Sequence, residues 1–549
     1  MSFSKEIKQV IEDGWENINL KLDKIQPGTL VIITIAGTLV VTKFNRWIKK
    51  SEKPIHKRIG SYIFSLLRKL PTVQKEIEKQ LGSTKKELEH SIHKYDKEKK
   101  FIKKIPNKAM SYDEILNLAN EYEGMSTFDV KGGKVSGTVY TDISDEHLKL
   151  LTAVFNKYAY SNPLHPDVFP GVRKMEAEVI RMIINLYNGT SECTGTMTSG
   201  GTESIILACF AYKNLAISKG IENPVIVCPS TAHAAFDKAA DLFGIRIRHV
   251  PVGINQKVNI HEYKKAICSD TCMLVGSVPN FPSGTADDII EIAKLGLKYN
   301  IPVHVDACLG GMLIPFMEEA GYPIPLFDFR VPGVTSISCD LHKYGYAPKG
   351  SSVIMYKTSE YLHKQYFSVT DWSGGIYATP TIAGSRCGSA IAVAWATLLF
   401  IGKDEYVVRT RKIIDSCKKI IKKVNELNIG IDIHGDSNVS VVAFKSDKFN
   451  IYAISDALNK KGWNLNCLQN PDAIHFCLTY NQASDDVVNS FVSDLKEAVE
   501  EVKSDPEKGN KSKSAAIYGM AAQVPDKSLI DEVTSLYLDA CFMIPEKDE

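Results

Sequence analysis

From about Ser111 onward, short runs rich in β-branched residues alternate with longer runs of helical period. Val225–Cys228, Ile247–Val252, Met273–Ser277, Pro302–Val305 and Thr335–Ser338 read as strands. Ala232–Phe243 and Ala286–Tyr299, between them, have helical spacing. Strand–helix alternation over roughly 200 residues restricts the chain to an α/β domain with a mostly parallel sheet. Such sheets place their sites beyond the carboxyl ends of strands. The pattern changes after Gly388. Helical runs at Ala390–Ile401 and Glu405–Asn425 lead into short strands and one more helix, Ala453–Lys461. At 549 residues the chain is too long for one core. The expected division is a large α/β domain over 111–395 and a smaller α+β domain over 396–549.

The N-terminal region follows other rules. Gln26 to Thr42 carries no charge, and most of it is apolar. A spanning helix needs about 20 residues, with ~17 as the lower limit. Lys43, Arg46, Lys49, Lys50, Lys53, Lys57 and Arg58 follow, with Trp47 among them. Positive charge and an interfacial aromatic after an apolar run mark a cytoplasmic membrane boundary. Acidic residues before the run and no clear cleavage site after it argue against a signal peptide. The expectation is one transmembrane helix over 27–42, a lumenal segment 1–26 and a cytosolic remainder. Residues 43–110 read as a basic helical stalk. Net charge is +2, which gives no electrostatic case for nucleic acid. The twelve cysteines form no CxxC pair and no His/Cys cluster at metal spacing. That scatter suits reduced thiols.

Several stretches carry chemistry. Asp306 closes the strand-like run Ile301–Asp306, and Lys343 follows the next one, in Cys339-Asp-Leu-His-Lys. A lysine in an apolar pocket near other cations can lose its proton and attack a carbonyl. A carboxylate and a lysine at neighbouring strand ends are what pyridoxal phosphate needs: the amine for its aldehyde, the carboxylate for its ring nitrogen. They serve equally as a structural ion pair. Thr198-Ser-Gly-Gly-Thr-Glu-Ser enters an apolar helix. Its glycines and hydroxyls form an anion cradle at the positive end of the helix dipole, or a plain N-cap. His233 follows Val225–Cys228 with small neighbours that would let its ring lie flat on a planar group. Asn162 and His165 lie in a proline-bracketed loop. Tyr140 ends a glycine-rich run, and Ser385 lies in a second glycine- and hydroxyl-rich loop beginning at Trp372. Each loop alone reads as a turn.

Taken together, these segments resemble the sphingosine-1-phosphate lyase family, among the fold-type-I, group II decarboxylase-like pyridoxal phosphate enzymes. The matching segments include Ser161-Asn-Pro-Leu-His-Pro-Asp-Val-Phe-Pro-Gly, Thr198–Ser204, Ala232-His-Ala-Ala-Phe, Val305-Asp-Ala-Cys-Leu-Gly-Gly, His342-Lys-Tyr-Gly-Tyr-Ala-Pro-Lys-Gly and Gly374-Gly-Ile-Tyr. The likeness covers nearly the whole chain.

The resemblance implies a large parallel-sheet domain, a smaller C-terminal domain and an N-terminal anchor. It makes Lys343 the Schiff-base lysine and Asp306 the partner of the ring nitrogen. His233 would stack on the ring. Gly200, Gly201, Thr202 and His342 would surround the cofactor phosphate. Tyr140, Asn162, His165, Lys349 and Ser385 would hold the substrate phosphate or assist at the reacting carbon. Tyr140, His165 and Lys343 are the candidate bases. The reaction implied is C2–C3 cleavage of a phosphorylated sphingoid base, giving a long-chain aldehyde and phosphoethanolamine. The implied assembly is a homodimer with shared sites, held in the endoplasmic reticulum membrane. An amino-acid decarboxylase, or an anchored protein without activity, are the alternatives. Two positions depart from the family pattern. Leu341 stands where threonine is usual, and Cys387 where proline is usual.

Overall fold

The structure is a computed structural model. It describes residues 26, 29, 31–32, 34–39, 60, 62–64, 66–96, 100–142, 144–505 and 527–544. Contacts divide the chain into two units, 1–62 and 63–549. In the first, the described residues from 29 to 39 are helical, and Val31, Ile32, Ile35 and Leu39 are exposed. The expected span 27–42 lies partly outside the described residues. Among those described, no helix is long and apolar enough to cross a membrane.

The second unit is built on a seven-stranded sheet: β1 (Thr194–Thr198), β2 (Val225–Pro229), β3 (Arg246–Val250), β4 (Thr271–Ser277), β5 (Val303–Asp306), β6 (Val334–Asp340) and β7 (Ser352–Tyr356). The spatial order is β1-β7-β6-β5-β4-β2-β3. Pairing is parallel from β6 through β3, whereas β7 runs antiparallel to both β6 and β1. Every residue of β2 and β4 is buried. Strands covered on both faces read as unbroken apolar runs, which is why these were visible in the sequence. Each fully buried valine or isoleucine here stabilises the fold by about 1.5–3 kcal/mol.

β1 was not visible. Its sequence Thr-Gly-Thr-Met-Thr has no apolar alternation, and its burial is asymmetric. Gly195 is required there, because a Cβ would lie 2.3 Å from the carbonyl oxygen of Ile354 on β7.

Helix ends follow local chemistry. Pro170 occupies the first turn of Pro170–Leu186, where its missing N–H costs nothing. Ser144 caps Asp145–Tyr158 by accepting from the amide of His147. Ser111 and Glu114 form a reciprocal capping box at Tyr112–Glu123. The expected stalk helix is shorter than read. Pro71–His93 is helical, but residues 100–111 are not. Pro106 lacks the N–H that a continuous helix needs. The C-terminal helix Lys527–Phe542 packs along Pro71–His93, and an Arg68–Glu532 ion pair of 2.6 Å joins the two segments.

The helix Gly388–Leu427 breaks at Gly402, whose φ of 68° no other residue adopts as easily. It leads to a four-stranded antiparallel sheet: β8 (Asp432–Ile433), β9 (Val441–Lys445), β10 (Asn466–Leu468) and β11 (Ala473–Cys477), ordered β8-β9-β11-β10. All twelve cysteines are free thiols.

Candidate active site

The register of the large sheet brings the motifs together. Ser352 on β7 pairs with both Thr198 and Asp340. The glycine loop after β1 and the lysine loop after β6 therefore leave the same edge of the sheet. On the other side of β6, Asp306 pairs with Ser338. Asp306 and Lys343 thus follow neighbouring parallel strands, as expected.

Hydroxyls tie the glycine loop down. Thr198 Oγ1 lies 2.7 Å from Ser204 Oγ, which lies 2.9 Å from Ser352 Oγ. Ser352 in turn donates to the carbonyl of Cys339 at 3.1 Å. The helix Gly201–Ser218 has no side-chain N-cap on Gly200, so first-turn amides stay available to an anion. A Cβ on Gly201 would lie 2.8 Å from both carboxylate oxygens of Asp340 and from Sγ of Cys308. Only glycine fits between the cradle and the lysine motif. Gly200 faces Cε1 of His342, which a Cβ would approach to 3.1 Å. Thr202 is exposed beside them.

The turn that carries Lys343 is held from the C-terminal part of the chain. Tyr346 has φ of 62°, which costs a bulky residue about 1–3 kcal/mol. Its ring stacks on Tyr406 (centroids 5.7 Å, planes 7° apart), and the Arg409 guanidinium lies 4.9 Å from its centre. Tyr406 also donates to the carbonyl of Gly345 at 2.9 Å. This packing holds Lys343 back over the strand end.

Lys343 Nζ lies 2.6 Å from Asp340 Oδ2, and Asp340 is 1% exposed. Apolar walls and nearby cations were the condition for an uncharged amine; here the nearest charge is an anion. Burial does oppose the ammonium, but the Asp340 charge outweighs burial and leaves Lys343 above its ordinary value. Burial likewise opposes the Asp340 carboxylate, yet Lys343 and His342 together hold it below the usual range. The pair is charged on both sides.

His342 is turned toward this pair. The amides of Gly350 and Ser351 donate to its Nδ1 at 3.2 and 3.1 Å. Its hydrogen is therefore on Nε2, 3.6 Å from Asp340 Oδ2. His342 borders the glycine loop through Cε1, with Nε2 next nearest.

Asp306 is 7% exposed. The amide of Cys308 and the hydroxyl of Ser338 donate to its Oδ1, at 3.0 and 3.4 Å. Oδ2 is left for another donor. An oriented carboxylate, a lysine on the next strand end and a glycine cradle at a helix start fit pyridoxal phosphate, with Lys343 for its aldehyde, Asp306 for its ring nitrogen and Gly200–Thr202 for its phosphate.

Lys349 and Tyr140 complete this cluster. Lys349 Nζ lies 5.1 Å from the Tyr140 ring centre and donates to the carbonyl of His342 at 3.4 Å. Burial and the Lys343 charge lower the pKa of Lys349. Burial pushes the Tyr140 phenol well above its ordinary value. Tyr140 meets Tyr344 edge to face at 4.9 Å.

Asn162 and Ser385 form a second cluster. Asn162 Nδ2 donates to Ser385 Oγ at 3.0 Å, and its Oδ1 accepts from the amides of Leu164 and Arg386. The Arg386 side chain is held by Glu176. His165 is exposed on the same loop. Among the described residues no hydrogen bond or ion pair joins this cluster to Lys343. His233 is also exposed; the amide of Ala235 donates to its Nδ1 at 3.1 Å.

Both departures from the family pattern are accommodated. Leu341 is fully buried in the core. Cys387 has φ of −72°, the angle a proline ring would impose. Asp340 was present in the lysine motif, but its role was missed.

Residues 136–447 match the family model described as the pyridoxal-dependent decarboxylase conserved domain. The chain is 44% identical to sphingosine-1-phosphate lyase 1 of Rattus norvegicus over 526 residues, 96% of this chain and 92% of the rat protein. It is 44% identical to sphingosine-1-phosphate lyase of Drosophila melanogaster over 519 residues, 94% of this chain and 95% of the fly protein. The solved structure of a Burkholderia pseudomallei sphingosine-1-phosphate lyase matches with a TM-score of 0.71 at 36% identity. It covers 75% of this chain and 96% of the bacterial one. Geometry and likeness agree: the chain belongs to the sphingosine-1-phosphate lyase family, within the pyridoxal-dependent decarboxylase group.

Proposed function

We propose that this protein cleaves phosphorylated sphingoid bases between C2 and C3, giving a long-chain aldehyde and phosphoethanolamine. The observation that carries the reading is Lys343, charge-paired with buried Asp340 beside Asp306 and a glycine cradle. Pyridoxal phosphate, when bound, supplies an aldehyde for the amine and a cationic ring that draws electrons from the breaking bond.

The protein's own groups do the rest. Asp340 Oδ2, 2.6 Å from Nζ, positions the lysine amine at the strand end. Asp306 would hold the ring nitrogen and keep it protonated. Lys349, Asn162 and Ser385 supply the cation and polar groups for the substrate phosphate. Gripping that remote group orients the C2–C3 bond, so binding energy serves catalysis. The C3 hydroxyl needs a base. Tyr140, His165 and the Lys343 amine are the candidates.

The test is incubation of purified protein with sphingosine 1-phosphate, followed by mass analysis. A fatty aldehyde and phosphoethanolamine in equal amounts are expected. Carbon dioxide released from an amino acid, with no aldehyde, would favour the decarboxylase alternative.

Two further parts of the reading concern assembly and location. The lack of any hydrogen bond or ion pair between the Asn162–Ser385 cluster and Lys343 among the described residues favours a homodimer in which each subunit completes the other's site. Exposed Trp372, Ile376 and Ile382, on the loop leading to Ser385, offer apolar surface for a second copy. The uncharged run 27–42 and its basic flank favour a single span in the endoplasmic reticulum membrane, with the catalytic part cytosolic. Protein lacking residues 1–58 should be soluble and active, with the mass of two chains by light scattering. Retention in the membrane fraction would remove the single-anchor reading, and an active single-chain species would remove the shared site.

A further inference from the structure

Behind Asp306 lies a line of buried polar groups that the reaction described above does not use. His304 sits two residues before Asp306 on β5 and is fully buried. Side chains two apart on a strand share a face. On β6, Ser336 pairs with His304 and Ser338 with Asp306. His304 Nδ1 lies 2.8 Å from Ser336 Oγ, and its Nε2 lies 3.3 Å from Ser338 Oγ. Ser338 Oγ lies 3.4 Å from Asp306 Oδ1. At the far end, Tyr212, from the helix that starts at Gly201, donates to Ser336 Oγ at 2.7 Å. Its hydroxyl also lies 2.6 Å from Thr335 Oγ1.

The direction of this chain follows from its last member. A carboxylate only accepts, so Ser338 donates to Asp306. Ser338 then accepts from Nε2–H of His304. Nδ1 of His304 accepts from Ser336, and Ser336 accepts from Tyr212. Every donor points toward Asp306. Such chains polarise in one sense and strengthen the interaction at the charged end. The imidazole has the right form for this. Burial lowers its pKa to about 4 against the opposing pull of Asp306, so it is neutral with one donor and one acceptor. Phe236 closes the other side of the ring, edge to face at 6.0 Å. The groups facing His304 are thus the two serines of β6, Asp306 on its own strand and an aromatic ring.

We propose that His304 is a positioning residue: acting through Ser338, it fixes the orientation and charge of Asp306, and thereby the protonation of the cofactor ring nitrogen. The proposal rests on the assignment of Asp306 to that nitrogen.

The test uses pyridoxal phosphate labelled with nitrogen-15 in the ring, bound to the full-length protein, because the ring nitrogen's chemical shift reports its protonation directly. Ser338→Ala and His304→Phe should move that signal toward neutral pyridine and weaken cofactor affinity. They should lower kcat about tenfold with KM changed less than about twofold, the effect of losing one charge-assisted hydrogen bond. Ser338→Thr, which keeps the hydroxyl, should restore the signal. Ser338→Ala removes one hydroxyl only, so it carries the test if His304→Phe does not fold. Asp306→Asn is the reference. If it moves the signal while Ser338→Ala lowers only the melting temperature, the chain is structural and this proposal alone is overturned. If Asp306→Asn leaves the signal in place, the assignment of Asp306 falls, and the proposal with it.

Discussion

Lys343→Ala should remove the near-visible absorbance band of the bound cofactor and lower turnover by on the order of 10⁴-fold or more, the scale of losing a covalent catalytic group. A second loss should accompany it. Asp340 is buried, with Lys343 as its nearest cation. Removing one partner of a buried pair leaves the other charge uncompensated, at a cost of about 3 kcal/mol or more. The cofactor-free variant should therefore melt earlier than the cofactor-free parent. Lys343→Arg separates the two effects. The guanidinium keeps a positive charge beside Asp340 but cannot condense with an aldehyde. It should restore the melting temperature without restoring the band or the activity. An intact band in Lys343→Ala would refute the assignment of this lysine.

Asp306→Asn should lower kcat by roughly 10²–10³-fold, the range seen when a single charge-stabilising group is removed from an active site. Stability should hardly move. The amide keeps the shape of the carboxylate, and its oxygen can still accept from the Cys308 amide and the Ser338 hydroxyl, as Oδ1 does now. What disappears is the negative charge on the atom left for the ring nitrogen. A neutral ring draws electrons weakly, so the bond-breaking step should suffer more than substrate binding. Purified variant protein at saturating cofactor gives the comparison. Full turnover would remove Asp306 from the role given to it.

The parts of the site that were legible in the sequence sit at strand ends. Asp306 and Lys343 follow buried β-branched runs, and a parallel sheet sends such residues to one edge. Gly200 and Gly201 were legible because they stand just before an apolar helix. The parts that were not legible depend on long-range closure. Asn162 and Ser385 are 223 positions apart, and nothing local signals their contact. Asp340 stood three residues before Lys343 in plain view. Yet only the turn through Gly345 and Tyr346, packed on Tyr406, brings Nζ back over it. That closure also sets the charge state of the lysine, because its nearest neighbour is an anion. The Gly350 and Ser351 amides that fix the His342 ring lie eight and nine residues further on, beyond what its position in the motif signals. His304 carried a readable sign, its two-residue spacing from Asp306, though its serine partners come from another strand.

The central claim is a reversible covalent bond between Lys343 and pyridoxal phosphate. Borohydride reduction of the loaded protein, followed by digestion and mass spectrometry, tests it directly. The cofactor's added mass should appear on the peptide containing Lys343, and it should vanish when reduction is omitted. Added mass on a different lysine, or on none, would contradict the account.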